Sequence, residues 1–555
     1  MLSPREEYQR WLDNVHDAEV YKELLSIQHN EEAITDRFYK FIDFGTAGLR
    51  GKMGAGTSYM NIYIIRRTTL AIAKYMLDQG MSKVAIAYDS RNNSRHFALE
   101  AAKIFAKSGI TTYIYKEIMP TPALSYAVRH LRCDMGIMVT ASHNPAIYNG
   151  YKVYGSDGCQ VTSKAANDIK TYVDKEGLFG IRGMNFEDGI ESGMIRWIRH
   201  EIVDLFMEHV SHVRTNRRSL KRLTVVYTPL NGAGWKLVPR ALENAGICDI
   251  YSVPNQDYPD GNFPTCPKPN PEIKEALMEG IKVCKDYDAD ILIATDPDCD
   301  RVGTAVKHKG EYVLVTGNEM GCLLLNYILS QKTQEDILPK GSIAVKTIVT
   351  SELTRKIANK YGVELKNVLT GFKYIGSIIT DLEKHMNRSK FVFGFEESYG
   401  YLAGTFVRDK EAVSTSLLIA EMTEYYKTLN KTLIDALDDL YEEFGCYKHR
   451  MLDFYFEGAE GETRMKELLN EFRTSKFKEI IGYKLVSKVD YAKGVNDLPK
   501  ADVLEFNLEG GHQLIIRPSG TEPKVKVYLT AVGNKYECNT ILDRFENWFN
   551  AKLYE

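Results

Sequence analysis

Met135-Gly-Ile-Met-Val139 is a short apolar run that ends abruptly in Thr140-Ala-Ser-His-Asn-Pro145. A run of this length bounded by turn residues reads as a buried parallel strand, and the polar residues beyond it as a loop at its carboxyl end. Open α/β sheets set their reactive groups at that end of the strand, which makes Ser142 a candidate nucleophile. His143 and Asn144 can donate to phosphate oxygens, and Pro145 stops the turn from closing into a helix. Ser-His-Asn-Pro is also good chemistry for an ordinary polar turn, and the segment alone leaves both readings open.

A second apolar run, Ile291-Leu-Ile-Ala294, leads into Thr295-Asp-Pro-Asp-Cys-Asp-Arg-Val302. Asp296, Asp298 and Asp300 alternate there, and three crowded carboxylates repel one another unless a cation or a base neutralises them. Carboxylate oxygens suit a hard cation such as Mg²⁺. An EF-hand would need Gly at loop position six and Glu at position twelve, where this chain has Arg301 and Lys307. That reading is excluded, and a solvated acidic turn remains as the alternative.

Two more segments repeat the arrangement. Gly394-Phe-Glu-Glu-Ser-Tyr-Gly400 follows the strand-like Lys390-Phe-Val-Phe393 and offers carboxylates and a hydroxyl to the hydroxyls of a sugar. Arg517-Pro-Ser-Gly-Thr-Glu-Pro523 follows Gln513-Leu-Ile-Ile516 and joins a guanidinium fork to two hydroxyls and a small Gly520. Those groups make a cradle for a phosphate dianion, with Lys524 and Lys526 adding positive charge. Gly45 to Gly56 is no Walker loop, because five residues separate Gly45 from Gly51 and Met53 follows Lys52.

In this order the segments TASHNP, DPDCDR, GFEES and RPSGTEP resemble the motifs of the α-D-phosphohexomutase superfamily. GTAGLRGKMGAG and GFEESYGY resemble its phosphoglucomutase/phosphopentomutase branch most. The resemblance covers nearly the whole chain and implies three similar mixed-sheet α/β domains plus a smaller C-terminal α+β domain around a central cleft. The expected divisions are 1–210 with the serine loop, 211–317 with the metal loop, 318–442 with the sugar loop, and 443–555 with the phosphate loop. It also implies a phosphoserine at Ser142 and one Mg²⁺ on Asp296, Asp298, Asp300 and a phosphoserine oxygen. Arg50, His143 and Lys152 are expected beside the transferring phosphoryl group.

Substrate contacts are implied at Arg301, Lys373, Glu396, Ser398, Arg517, Ser519, Gly520, Thr521 and Lys526. The implied reaction interconverts α-D-glucose 1-phosphate and glucose 6-phosphate through glucose 1,6-bisphosphate. Mannose or pentose phosphates, or synthesis of the bisphosphate itself, fit the same motifs. A metal-dependent phosphatase and an inactive sugar-phosphate binder stand as alternatives of another class. Asp409-Lys410 resembles a structural motif of the family and is given no catalytic part. Cys299 stands where family members more often have glycine.

The composition agrees with a soluble enzyme acting on small molecules. At 555 residues and 44% hydrophobic the chain can build several cores. A net charge of −3 argues against a dedicated nucleic-acid binder. Nine cysteines without a CxxC pair indicate neither a disulfide framework nor a zinc site. The polar opening residues lack a signal-peptide core and no apolar run approaches a membrane span, so cytoplasm is the expected compartment. A monomer or weak homodimer is expected. Residues 1 to 40 read as a helical extension packed on the first domain. Ile62–Leu77, Phe97–Ala106, Trp197–Val213, Glu319–Leu329 and Tyr536–Phe549 read as helices, and Val84–Tyr88, Thr111–Tyr115, Leu223–Tyr227 and Ile343–Lys346 as strands.

Overall fold

The computed structural model describes residues 2–45, 48–216, 223–456, 458–495, 498–518 and 524–554. Met135–Val139 and Ile291–Thr295 are buried at every position, as expected of strands covered on both faces. The first lies inside a six-stranded sheet ordered Leu49–Lys52, Tyr148–Gly155, Met135–Val139, Lys83–Tyr88, Thr111–Ile114, Ile195–Trp197. The second lies inside a five-stranded sheet ordered Glu311–Val315, Val302–His308, Ile291–Thr295, Thr224–Thr228, Asp249–Ser252. A third sheet has four strands, Glu364–Val368, Ile343–Thr347, Phe391–Glu396 and Gly400–Leu402.

One construction recurs in all three. A buried strand pairs in parallel with one neighbour, then returns antiparallel through a short loop. Met135–Val139 runs parallel to Lys83–Tyr88 and antiparallel to Tyr148–Gly155. Ile291–Thr295 does the same between Thr224–Thr228 and Val302–His308. Phe391–Glu396 repeats it between Ile343–Thr347 and Gly400–Leu402. The serine, aspartate and glutamate segments therefore occupy one topological position, three times over.

The fourth sheet is six-stranded and antiparallel throughout, in the order Cys446–Tyr455, Lys524–Gly533, Gln513–Pro518, Leu504–Leu508, Tyr483–Asp490, Glu479–Ile480. Burial alternates along Leu504–Leu508, as in a sheet with one wet face. Helix Lys535–Tyr554 packs on its core face through Cys538, Leu542, Phe545 and Phe549. Ser519, Gly520 and Thr521 lie outside the described residues.

The amino-terminal extension forms helices Pro4–Asn14, Ala18–Ser26 and Glu31–Phe38. Ser3 and Glu6 close a capping box on the first of them. Trp11 is fully buried and meets Phe38, Tyr63 and Phe179 edge-on, which fastens the extension to helix Ile62–Asp78. Two expected elements change. Trp197 ends strand Ile195–Trp197 and the helix begins only at His200, because Ile195 and Trp197 pair beside Thr112 and Ile114. Helix Gly317–Gln334 outruns its apolar stretch at both ends, started by the Thr316 and Glu319 capping box. Among the described residues, no helix is long and apolar enough to cross a membrane.

Candidate active site

Ser142 sits in the left-handed region, with φ of 52°, where residues bearing a Cβ are uncommon. Its hydroxyl donates to Asp296 Oδ2 at 2.8 Å and lies 3.3 Å from His143 Nδ1. Two loops 154 positions apart in the chain thus meet at one hydrogen bond. Burial and the nearby Arg301 and Arg50 guanidinium groups hold the His143 imidazole well below its usual pKa, which favours the neutral ring.

The aspartate loop is fully buried. Asp296 Oδ1 accepts the N–H groups of Asp300 and Arg301, each at 3.0 Å. Asp298 Oδ2 accepts from Thr121 Oγ1 at 2.8 Å and from Lys152 Nζ at 2.7 Å. Asp300 Oδ2 lies 3.3 Å from Lys152 Nζ and 3.2 Å from Lys410 Nζ. Burial and the two neighbouring carboxylates push the Asp296 carboxyl well up. Burial would raise Asp298 as well, yet the Lys152 ammonium beside it holds that carboxyl well down. Asp298 and Asp300 in turn raise the Lys152 ammonium, against the opposing effect of burial.

Ligand oxygens from Asp296, Asp298 and Asp300 fall within 4.8 Å of one another. Asp298 Oδ1 and Asp300 Oδ1 are buried without a hydrogen-bond donor, although buried polar atoms are almost always paired. Hard, converging and partly unpaired, this oxygen set fits a divalent cation. Cys299 at the loop centre has φ of 51°, a conformation that suits glycine, and its thiol is fully buried. Burial raises that thiol well above the ordinary range, which removes the thiolate that oxidation would require.

Arg301 leaves this loop to bind Glu272 and the Ser398 carbonyl, the latter at 3.2 Å. Glu396 is buried and accepts the Gly371 N–H at 2.7 Å. Burial raises its carboxyl, and burial with the adjacent Glu396 takes Glu397 up to about 7. Lys373 lies farther out, at the start of helix Lys373–Lys384, with Nζ 3.4 Å from Ser163 Oγ. Arg50 is exposed on Leu49–Lys52, directly across from Gly150, and donates to Asn144 Oδ1 at 3.1 Å.

Arg517 and Lys526 face each other across the last hairpin. Among the described residues no hydrogen bond or ion pair joins either to the Ser142 cluster, but Lys526 and Tyr528 stand close enough to Glu397 to interact electrostatically. Ile348, Val349 and Leu369 pack with Ile515 and Tyr528 to hold that hairpin against the glutamate loop's sheet. Sequence reasoning missed Asp89, Arg91, Thr121 and Glu272, and gave Lys410 no part at the aspartates. Asp89-Ser-Arg91 does follow the apolar strand Lys83–Tyr88, the same sign that marked the other loops.

A serine brought onto three buried carboxylates by loops of like-folded sheets defines a phosphotransferase-type centre. Models of the phosphoglucomutase/phosphomannomutase α/β/α domains I, II and III match residues 42–178, 204–310 and 316–444, and the C-terminal domain model matches 474–547. The chain is 35% identical over 537 residues to the phosphoglucomutase of Staphylococcus epidermidis, covering 94% of this chain and 96% of that one. In fold it is similar to a Thermus thermophilus protein assigned as a phosphomannomutase, with TM-score 0.71 and 20% identity over 92% of this chain and 99% of that chain. It is also similar to the open form of parafusin, a phosphoglucomutase from Paramecium, with TM-score 0.68 and 18% identity over 91% and 94%. The chain belongs to the phosphoglucomutase/phosphomannomutase family of the α-D-phosphohexomutase superfamily.

Proposed function

We propose that this enzyme interconverts α-D-glucose 1-phosphate and glucose 6-phosphate, with Ser142 carrying the phosphoryl group between turnovers. The observation that carries the reading is near full-length likeness to a phosphoglucomutase, 35% identical over 94% of the chain. The contact of Ser142 Oγ with the aspartate loop supports Ser142 as the carrier. In the first half-reaction the phosphorus–oxygen bond to Ser142 Oγ breaks and one to the sugar 6-hydroxyl forms. The proton lost by that hydroxyl is taken up by the departing Ser142 Oγ, with His143, whose Nδ1 lies 3.3 Å from that oxygen, placed to relay it, and the return step moves it back. Glucose 1,6-bisphosphate then turns, and its 1-phosphate returns to Ser142 Oγ.

Asp296, Asp298 and Asp300 would hold one Mg²⁺ per chain, with an oxygen of the phosphoserine completing the set. That ion supplies Lewis acidity and charge neutralisation when bound. Lys152 and Lys410 balance the carboxylates from the protein side. Arg50 flanks the serine loop from the rim. Glu396 and Ser398 take two sugar hydroxyls without regard to which end faces Ser142, aided by Lys373. Arg301 ties the aspartate loop to that sugar loop. Arg517, Ser519, Gly520, Thr521 and Lys526 grip the phosphate that is not being transferred. We assign the serine loop to residues 1–210, the aspartate loop to 211–317, the sugar loop to 318–442 and the phosphate loop to 443–555.

Small sugar phosphates are its proposed ligands and the cytoplasm its compartment, consistent with nine unpaired cysteines. A monomer or weak homodimer is proposed. A coupled assay over glucose, mannose and pentose 1-phosphates, with and without glucose 1,6-bisphosphate, tests the reading. Fastest turnover is expected on glucose 1-phosphate, stimulated by the bisphosphate. Stoichiometric release of inorganic phosphate would replace a mutase by a phosphatase, and a preference for mannose or pentose would reassign the sugar.

A further inference from the structure

We infer that Asp89 and Arg91 are positioning residues that hold the Ser142 peptide in its left-handed conformation and so aim the hydroxyl. The inference rests on Ser142 being the phosphoryl carrier. Both side chains are fully buried, with Arg91 Nε 3.4 Å from Asp89 Oδ2. The Arg91 guanidinium donates to four carbonyls of the serine loop. Nη2 serves Ser142 at 2.6 Å and also Asn144, while Nη1 serves Pro145 at 2.9 Å and Tyr148 at 3.1 Å. Three of these carbonyls, those of Ser142, Asn144 and Pro145, belong to the loop beyond the sheet, and Tyr148 is the first residue of the returning strand. A planar fork of fixed geometry can satisfy them together, which an ammonium on a flexible stem cannot.

The other side of the same serine is tied to the same carboxylate. The Ser142 N–H donates to Thr140 Oγ1 at 2.8 Å, and that hydroxyl donates to Asp89 Oδ2 at 2.6 Å. Asp89 Oδ1 is held by Ser94 Oγ at 2.6 Å and the Arg91 N–H at 3.0 Å. Ser142 is thus clamped at its N–H through Thr140 and at its carbonyl through Arg91, with both paths ending on Asp89. A residue with a Cβ stays at φ 52° only where its surroundings over-determine it, and this ring does so.

Arg91 also reaches the unit that supplies the serine's hydrogen-bond acceptor. Its guanidinium lies 5.0 Å from the centre of the Phe263 ring, and Asn92 Nδ2 donates to Asn262 Oδ1 at 2.9 Å. At Gly261 a Cβ would come within 2.3 Å of the Asn92 nitrogen, so this contact admits no side chain there. The clamp therefore registers the serine loop against the segment that precedes the aspartate loop.

The test compares Arg91→Lys, Thr140→Val, Thr140→Ser and Ser142→Ala enzymes, loaded with Mg²⁺ and assayed on glucose 1-phosphate with bisphosphate. Misplacing a reacting atom by about an ångström costs roughly a hundredfold in rate. Arg91→Lys and Thr140→Val are expected to lower kcat by about that factor while KM moves less than about threefold, since sugar and distal phosphate are held elsewhere. Thr140→Ser, which keeps the hydroxyl, is expected to restore most of kcat. Unchanged kcat in both Arg91→Lys and Thr140→Val, beside an inactive Ser142→Ala, overturns the clamp alone. Activity in Ser142→Ala overturns the phosphoserine reading itself. Equal losses in Thr140→Val and Thr140→Ser also sink the clamp, because the hydroxyl would then be irrelevant.

Discussion

The two ends of the site are built differently. At the serine end the side chains interlock, Ser142 with Asp296, Lys152 with Asp298 and Asp300, Lys410 with Asp300 and Thr121 with Asp298, while Asp298 Oδ1 and Asp300 Oδ1 are left without a donor. At the far end, among the described residues, Glu396 accepts one backbone N–H, Lys373 makes one long side-chain contact, and Arg517 and Lys526 approach through the last hairpin, beside a phosphate loop that lies outside those residues. Phosphoryl transfer needs charges fixed in advance around the developing transition state. A sugar that must be accepted in two orientations needs contacts indifferent to its direction. The difference teaches that, among the described residues, side-chain contacts are densest where the phosphoryl group is proposed to move.

The largest effect should fall on the serine end. Ser142→Ala is expected to cut kcat by about 10⁴-fold or more, as losses of nucleophiles do, with the melting temperature within a few degrees of wild type. Intact-protein mass analysis should find a phosphate on Ser142 after exposure to glucose 1,6-bisphosphate. Activity that survives in the variant would erase the contrast, since the serine end would have no special part.

Next in size is Asp298→Asn, which weakens the Lys152 contact and one ligand position together. A loss of roughly 10³-fold in kcat is expected, with KM changed only a few-fold. Chelator should silence the wild type and added Mg²⁺ should restore it. Indifference to chelation, read in the same assay, would remove the metal from the comparison.

Arg517→Ala probes the far end. One charge-assisted hydrogen bond is worth roughly 1.5–3 kcal/mol, so KM should rise about 100-fold at most. Free glucose 1,6-bisphosphate should accumulate in the reaction and added bisphosphate should become essential. A fall in kcat with no leak would place Arg517 at the reacting phosphate and reverse the assignment of the two ends.

The smallest effect concerns a buried carboxylate that, unlike Asp298 and Asp300, has no cation beside it. Glu411 is fully buried and has none among the described residues. It caps helix Ala412–Thr428 through Val413 and Ser414 N–H groups, and burial takes it up to about 7. Its folded pKa exceeds the unfolded value, so its favourable contribution is full at low pH and is lost as pH rises towards and through 7. Relative to wild type, Glu411→Gln should gain about 2 kcal/mol of stability between pH 5 and pH 8. Parallel denaturation curves at the two pH values measure it, and a pH-independent difference would show Glu411 ionised throughout.

Much of this was legible without coordinates. Met135–Val139 and Ile291–Ala294 announced strands by their unbroken apolar character, and turn residues marked where each ended. The three aspartates pointed to a cation by their own repulsion, and the structure brings their oxygens within 4.8 Å of one another in a buried loop. The extension's three helices were legible as helical, although Trp11 as its anchor was not singled out. Trp197 was read into a helix because apolar residues at helical spacing look alike until a neighbouring strand claims them. Asp89 and Arg91 passed unnoticed, since their partners are loop carbonyls, which have no signature in the sequence. Ser519, Gly520 and Thr521 lie outside the described residues and keep only their place in the motif.

Local pattern determined which residues belong to strands, which to turns, and which chemistry each loop can perform. Those are properties of near neighbours in the chain, set by burial, backbone sterics and charge. Only the tertiary structure decided that the Ser142 hydroxyl bonds Asp296 among the three aspartates, that Lys410 neutralises Asp300, and that one guanidinium ties down the serine loop. Each of these joins residues 51 to 154 positions apart, and the joining follows from strand order within a sheet and from packing between sheets. The residues at such a meeting carry their charge and shape in the sequence, but the meeting itself is a property of the folded whole.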